Sequence, residues 1–361
     1  MPHALRACGR CFHGLRNFRK TGLVTKANET LPTPRHPDPS DAPPLRWGIL
    51  APGVIANDFV EAVRRHTRQK VVAVGSRTLD RAAAFAARHG FERAYGSYEQ
   101  LVTDPEVDIV YVASPHSEHT THALLAIAAG KHVLIEKPMA VTAAEARIIA
   151  EAARKAGVFA MEAMWTRYLP QTDIARQLLA DGMLGEVKVV TADFGGAAPF
   201  DPASRLYDPA LAGGALLDLG VYVVSWASFA LSAPESVVAT GELAPTGVDA
   251  QVALLLTSPG GGQALLSTSL LAGTPSLATI SGTAGRIEMD APFWGPSGIR
   301  FHGPGGSVAH WVDPYDRPYR QGMSYEAAAL ARYITDGLTD SPLHPLDEAI
   351  TTLETIDEAR R

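Results

Sequence analysis

A lysine stands between a glutamate and a proline in Glu136-Lys137-Pro138, directly after the apolar run Val133-Leu134-Ile135. Lysine at such a place needs a reason beyond solvation, because its ammonium is costly to desolvate. Further along, Asp218 and Tyr222 are spaced four apart, so on a helix both side chains reach one face. An ammonium, a carboxylate and a phenol together can move a proton. A phenol with a reference pKa of about 10 is a poor base at neutral pH, and a nearby ammonium favours its phenolate. Tyr222 is therefore expected to act as acid/base, with Lys137 as its electrostatic partner and substrate anchor. Asp218 is expected to bond a substrate hydroxyl or to orient Lys137. Glu136 would also orient the lysine, and Pro138 would fix the turn. The plainer readings are a core aromatic for Tyr222 and a capping or structural aspartate for Asp218.

Such residues need rigid elements to hold them. From Arg46 onward strand and helix signals alternate: strands over 46–50, 70–75, 108–113 and 132–135, with helices over 54–65, 80–89 and 119–129 between them. A helix over 142–156 and a strand over 158–162 follow. This alternation implies a parallel sheet with crossover helices. After Trp165 comes one helix over 172–181. Strands then dominate, over 187–194, 236–240, 250–256, 263–269, 277–281 and 286–289, two of them joined by the hairpin turn Pro259-Gly260-Gly261-Gly262. Helices over 325–337 and 345–360 close the chain. The expected fold is α/β: a dinucleotide-binding domain over 46–165, then an α+β domain with a large, mainly antiparallel sheet over 166–361.

Lys137 falls at the carboxyl end of a parallel strand, where such sheets bind ligands. The first strand-to-helix turn, Ala51-Pro52-Gly53-Val54-Ile55-Ala56, is a G-x-G-x-x-G variant with alanine in the first and third places. Gly53 would let the backbone approach a pyrophosphate, and the amides at Val54 and Ile55 open the helix toward it. Taken alone, this is equally a plain strand-to-helix turn. The end of the second strand adds weight, because sites for NAD keep an acidic residue there and this chain has Ser76-Arg77, with Arg81 one turn on. A small hydroxyl and a guanidinium accommodate a 2′-phosphate that a carboxylate would repel, so NADP is expected over NAD. Oxidation of a secondary alcohol requires removal of the hydroxyl proton while hydride leaves the same carbon, which suits a base beside a nicotinamide.

The segment Ala129-Gly130-Lys131-His132-Val133-Leu134-Ile135-Glu136-Lys137-Pro138 resembles the signature of the Gfo/Idh/MocA oxidoreductases. Ser114-Pro115-His116-Ser117-Glu118-His119 is similar to the family's Pro-x-x-x-His loop, and 213–222 to a further family segment. The likeness runs over about residues 46–360. It implies a Rossmann domain followed by a sheet domain, and assembly as a homodimer or higher homo-oligomer through that sheet. Ser114, Pro115, His116 and His119 would shape the loop over the cofactor, and Arg205 would approach the nicotinamide carboxamide. Trp165 and Arg167 would form a substrate wall. Tyr222 stands where many branches place histidine. Together with Met161 to Arg167 it is most similar to the branch acting on dihydrodiols and on D-xylose with NADP. The family also includes a non-catalytic NADP-binding sensor, a second reading that an intact Lys137, Asp218 and Tyr222 disfavours.

Composition excludes other classes. The first 46 residues carry eight Lys/Arg against three Asp/Glu on a chain of net charge −6, so the body stands at −11. An acidic body argues against nucleic acid as partner. No uncharged apolar run of about 20 residues suggests a membrane span. Cys8 and Cys11 are the two cysteines, and C-x-x-C without a second ligand pair falls short of a zinc site. A cysteine-free body suits a reducing, cytoplasmic setting. The leader over 1–45 is Pro-rich in its second half and reads as an extended, poorly packed arm, a transit-like segment or a misassigned start. Some family members carry a Pro-rich arm that helps retain NADP and supports assembly, a role the resemblance also allows for residues 27–45.

Overall fold

In the computed structural model, residues 31–314, 317 and 319–361 are described. Cys8 and Cys11 and the first thirty residues of the leader lie outside them. Six strands, β1 (Arg46–Leu50), β2 (Lys70–Gly75), β3 (Arg93–Tyr95), β4 (Ile109–Val112), β5 (His132–Glu136) and β6 (Ala160–Ala163), form a parallel sheet in the order β3-β2-β1-β4-β5-β6. The order reverses between β1 and β4, and a ligand crevice opens beyond the carboxyl ends at such a point. The crossovers are α1 (Val54–His66), α2 (Leu79–His89), α3 (Tyr98–Val102), α4 (His119–Ala128) and α5 (Ala143–Ala156). Local chemistry sets their ends: Thr142 accepts the Glu145 amide at the start of α5, and Gly157 closes it at φ 68°. The sequence pattern did not indicate β3 and α3, because three residues and five residues are too short to show a period.

Beyond α6 (Pro170–Ala180) the second sheet comprises β7 (Val187–Gly195), β8 (Ser236–Leu243), β9 (Asp249–Thr257), β10 (Gln263–Ser269), β11 (Ala278–Gly282), β12 (Arg286–Met289), β13 (Gly298–His302) and β14 (Val308–Val312). Its order is β14-β13-β12-β11-β7-β10-β9-β8, antiparallel except between β7 and β10. β13 and β14 extend it past the strands expected; flanking Gly and Pro masked their alternation. α7 (Val221–Leu231) packs on the inner face of this sheet. The helical run Pro209–Leu231 has a mean hydropathy of 1.5, more apolar than the sequence reading allowed, and it is mostly buried inside the protein. The last two helices return to the first sheet: α8 (Met323–Thr335) packs on α1, and α9 (Leu346–Ala359) on α5 and α7. One continuous apolar core therefore joins the two halves.

The described part of the leader, residues 31–45, corrects the expectation of a poorly packed arm. It is extended apart from a 3-10 turn at Pro39–Asp41, but the Arg35 amide donates to Asp173 on α6 at 2.7 Å, and Ala42 is fully buried against α8. Arg332 donates to the Asp38 carbonyl at 2.8 Å. None of these residues lines the large cleft, which runs against a role in retaining NADP within the same chain.

Glu326 on α8 is fully buried, and neither of its carboxylate oxygens has a hydrogen-bond partner among the described residues. Burial, reinforced by Glu136 and Glu162, raises its pKa well above the carboxylate range. A carboxyl whose pKa rises on folding costs stability above its unfolded pKa, and that cost fades as pH falls through the ordinary carboxylate range. Glu326→Leu is therefore expected to stabilise the protein by about 1–3 kcal/mol at neutral pH, with a smaller gain near pH 4. Denaturant unfolding at the two pH values checks this.

Candidate active site

A cleft of about 740 Å³ runs from the carboxyl ends of β1 and β2 to the inner face of the second sheet. At its nucleotide end Gly53 caps α1, and no atom lies within 4 Å of where a Cβ would stand, so the backbone is open to a bulky ligand. Val54 and Ile55 line the cleft beside it. Ala51 sits at φ 69°, the left-handed region that glycine favours, in the first place of the motif. Ser76 is buried at the end of β2, and Arg77 and Arg81 stand exposed along the same wall. Sequence reasoning missed two residues here. Tyr98 and His122 meet edge-to-face at 4.6 Å on α3 and α4, a pairing between distant segments that no local pattern signals.

Over the middle of the cleft, His119 spans two carbonyls, Pro138 O at 2.7 Å and Ser114 O at 2.8 Å. It thereby clamps the Ser114-Pro115 loop to the turn after Lys137. His116 contacts Ala212 O at 3.2 Å, and burial lowers its pKa to about 3 despite Asp218 nearby, so the ring is neutral.

At the far end β5 delivers Lys137. Its Nζ donates to the Asp218 carbonyl at 2.6 Å and to Asp218 Oδ1 at 3.2 Å, and lies 5.0 Å from the centre of the Tyr222 ring. Asp218 and Tyr222 converge because Leu216–Gly220 forms a π-helical turn running into α7. Arg205 donates to Asp218 Oδ1 at 3.1 Å. Burial works to raise the Asp218 carboxyl, but Lys137 and Arg205 outweigh it and hold it well below the usual carboxylate range.

Three expectations change. Glu136 does not orient the ammonium: its carboxyl accepts from Tyr111, and burial raises its pKa, so Asp218 is the residue that orients Lys137. Tyr222 is not drawn toward its phenolate. Burial, then Glu136, raises its pKa well above 10, although Trp165 Nε1 donates to its hydroxyl at 2.9 Å. The ammonium faces the ring, where it offers the oxygen little relief. Finally, Arg167 does not line the cleft; it is buried and paired with Glu348 on α9. Trp165 does line it, with Phe194, Trp294 and Tyr319. Phe194 stacks on Trp294 at 4.9 Å, forming an aromatic wall. Trp294 and Tyr319 lie on either side of β13 and β14, within a stretch that the sequence marks only by its aromatic, Gly and Pro content.

A switch-point crevice opened by a glycine-capped helix, facing a lysine, an aspartate and a buried phenol, defines a dinucleotide-dependent oxidoreductase acting on alcohol groups. The chain matches the model of the oxidoreductase family with an NAD-binding Rossmann fold over residues 45–164, and that of the GFO/IDH/MocA C-terminal domain over 173–288. It belongs to the Gfo/Idh/MocA oxidoreductase family. It is 39% identical over 324 residues to trans-1,2-dihydrobenzene-1,2-diol dehydrogenase of Bos taurus, covering 88% of this chain and 96% of that one. The Homo sapiens protein of that name is 38% identical over 323 residues, with the same coverage. Among solved structures, aldose-aldose oxidoreductase from Caulobacter crescentus complexed with glycerol superposes with a TM-score of 0.78 at 26% identity, over 88% of this chain and 98% of that one. The 3-ketoreductase KijD10 from Actinomadura kijaniata, in complex with NADP and TDP-benzene, has a TM-score of 0.75 at 27% identity, over 88% and 97%.

Proposed function

We propose that the protein is an NADP-dependent dehydrogenase acting on a secondary alcohol of a dihydrodiol, sugar or cyclic polyol, with Lys137 and Tyr222 handling the proton. The observation that carries this reading is the convergence of Lys137, Asp218 and Tyr222 on one wall of a cleft whose other end presents Arg77 and Arg81. The residues suit the cofactor: open space at Gly53 admits a pyrophosphate, and two guanidiniums with Ser76 suit a 2′-phosphate. Bound NADP supplies the hydride acceptor. Arg205, more than half exposed, pairs with Asp218 and lines the cleft, which suits a role toward the nicotinamide carboxamide.

The stacked Phe194 and Trp294 favour a flat ring in the substrate, and relatives named for dihydrobenzenediol agree with that preference. A homodimer through the outer face of the large sheet belongs to the same reading. Val238, Leu255 and Leu265 are direct cross-strand neighbours on that face and are exposed. A cytoplasmic setting accords with the cysteine-free body.

The test is reduction of NADP and of NAD by the purified protein over a panel of unsaturated cyclic diols, aldopyranoses and inositols. Turnover with NADP and a cyclic diol or sugar is the expected result. Arg77→Ala is expected to raise the KM for NADP about 10- to 100-fold and to leave that for NAD unchanged, the scale of a lost charge-assisted hydrogen bond. Tight NADP binding with no turnover of any alcohol would instead favour a sensor.

A further inference from the structure

Behind the catalytic wall lies a buried chain of charges that no step above uses. It begins at the turn carrying Lys137. Glu162, on β6, accepts the Met139 amide through Oε1 at 2.9 Å, and its Oε2 pairs with His344 Nε2 at 2.7 Å. On its other side His344 Nδ1 lies 3.7 Å from Glu348 Oε2, an ion-pair distance too long for a hydrogen bond. Glu348 pairs through its other oxygen with Arg167. Arg167 NH1 in turn donates to the Ser225 carbonyl on α7 at 3.0 Å. The chain thus runs from β6 through the segment before α9 and α9 itself to α7, crossing the junction of the two sheets.

Its two ends bracket the reaction. Met139 is two residues past Lys137, and Ser225 is three residues, about one helical turn, past Tyr222. Glu162 and His344 are almost wholly buried, and Arg167 is 3% exposed. Burial works against a charged His344, but its carboxylate partners raise its pKa; burial likewise works against a charged Glu348, but His344 and Arg167 hold its carboxyl down at about 2. A buried ion chain is a poor source of stability compared with apolar packing of the same volume, so its presence calls for another account.

We propose that Glu162, His344, Glu348 and Arg167 are positioning residues that set the separation of Lys137 from Asp218 and Tyr222 by holding the Met139 amide at one end and the Ser225 carbonyl at the other. The inference rests on the reading of Lys137 and Tyr222 as the proton-handling pair. Displacement of a reacting group by about 1 Å costs on the order of 100-fold in rate, so a loosened tether acts on turnover without touching the nucleotide end of the cleft.

The experiment compares full-length wild type with Glu162→Gln, Arg167→Met, Arg167→Lys and the pair Arg167→Met/Glu348→Gln, on the best substrate of the panel. Cofactor Kd is measured by fluorescence, and Tm by thermal unfolding. Glu162→Gln keeps the side chain's volume but removes the carboxylate that pairs with His344, and Arg167→Lys keeps a charge, so each serves if Arg167→Met does not fold. The expected result is a kcat lowered at least about tenfold with cofactor Kd within about twofold, and a double variant no worse than Arg167→Met alone, because both changes break one chain. Arg167→Lys is expected to recover part of the loss. Variants that lose Tm but keep kcat within about twofold of wild type overturn the proposal and leave the chain a structural tie. If wild type itself turns over no alcohol, the functional reading fails separately. The tether is then read from acylation of Lys137 by an amine-reactive reagent, followed by mass spectrometry. Faster labelling in the variants sustains it, and equal labelling overturns it.

Discussion

Lys137→Met is expected to lower kcat for alcohol oxidation by about 10²–10³-fold, the scale of losing one preorganised charge at a reacting centre. The ammonium is held by two bonds to Asp218 and faces the cleft at the end of β5, and methionine there removes that charge from beside the Tyr222 ring. Arg205 remains beside Asp218, and the carboxylate stays compensated. Folding should therefore survive the change. The nucleotide end of the cleft is untouched, and cofactor affinity measured by fluorescence should stay within a few-fold of wild type. Single-turnover kinetics separate the two quantities. A methionine variant as active as wild type would remove Lys137 from proton transfer altogether.

The second large effect is expected at Tyr222. Phenylalanine there should cost about 10²–10⁴-fold, the range of a positioned acid or base. The pH dependence carries more information than the size. Burial and Glu136 keep the Tyr222 phenol protonated at neutral pH. As an acid it is ready to give its proton to a carbonyl oxygen, so reduction should stay level through neutral pH and fall only in the strongly alkaline range. As a base it must first lose that proton, so oxidation should rise with pH into the same range. Tyr222→Phe should flatten both limbs. A profile unchanged by the substitution would assign proton transfer to another group. The variant also leaves Trp165 Nε1 without its acceptor, so a modest loss of stability is expected beside the kinetic one.

The parts of the molecule that were legible in its sequence share a physical reason. Strands β1, β2, β4 and β5 are short apolar runs between turn residues, and their carboxyl ends carry the residues that first drew attention: Gly53, Ser76, Ser114 and Lys137. Asp218 and Tyr222 were legible because spacing by four survives the change from a π-helical turn to an α-helix. What stayed hidden depends on direction more than position. Arg167 lies two residues from Trp165, yet the 3-10 turn of Trp165–Tyr168 sends one side chain to the cleft and the other toward α9. The lysine's partner proved to be Asp218, brought from the other half of the molecule, and not its neighbour Glu136. The latter faces Tyr111 because alternate residues of a strand point to opposite sides. Tyr98 and His122, and Phe194 and Trp294, meet only through the tertiary fold.

The return of α8 and α9 to the first sheet bears on how the molecule is made and lost. The dinucleotide half has all six of its strands by Ala163, but part of the cover of α1 and α5 comes from residues after 318. During synthesis those helix faces stay partly uncovered until α8 and α9 have been made. Once assembled, the shared core leaves neither half a surface on which to separate, so the two sheets form a single cooperative unit. A chain cut short before α8 would lose more than its tail: it would leave a nucleotide-binding half that is complete in strands and open on its flank.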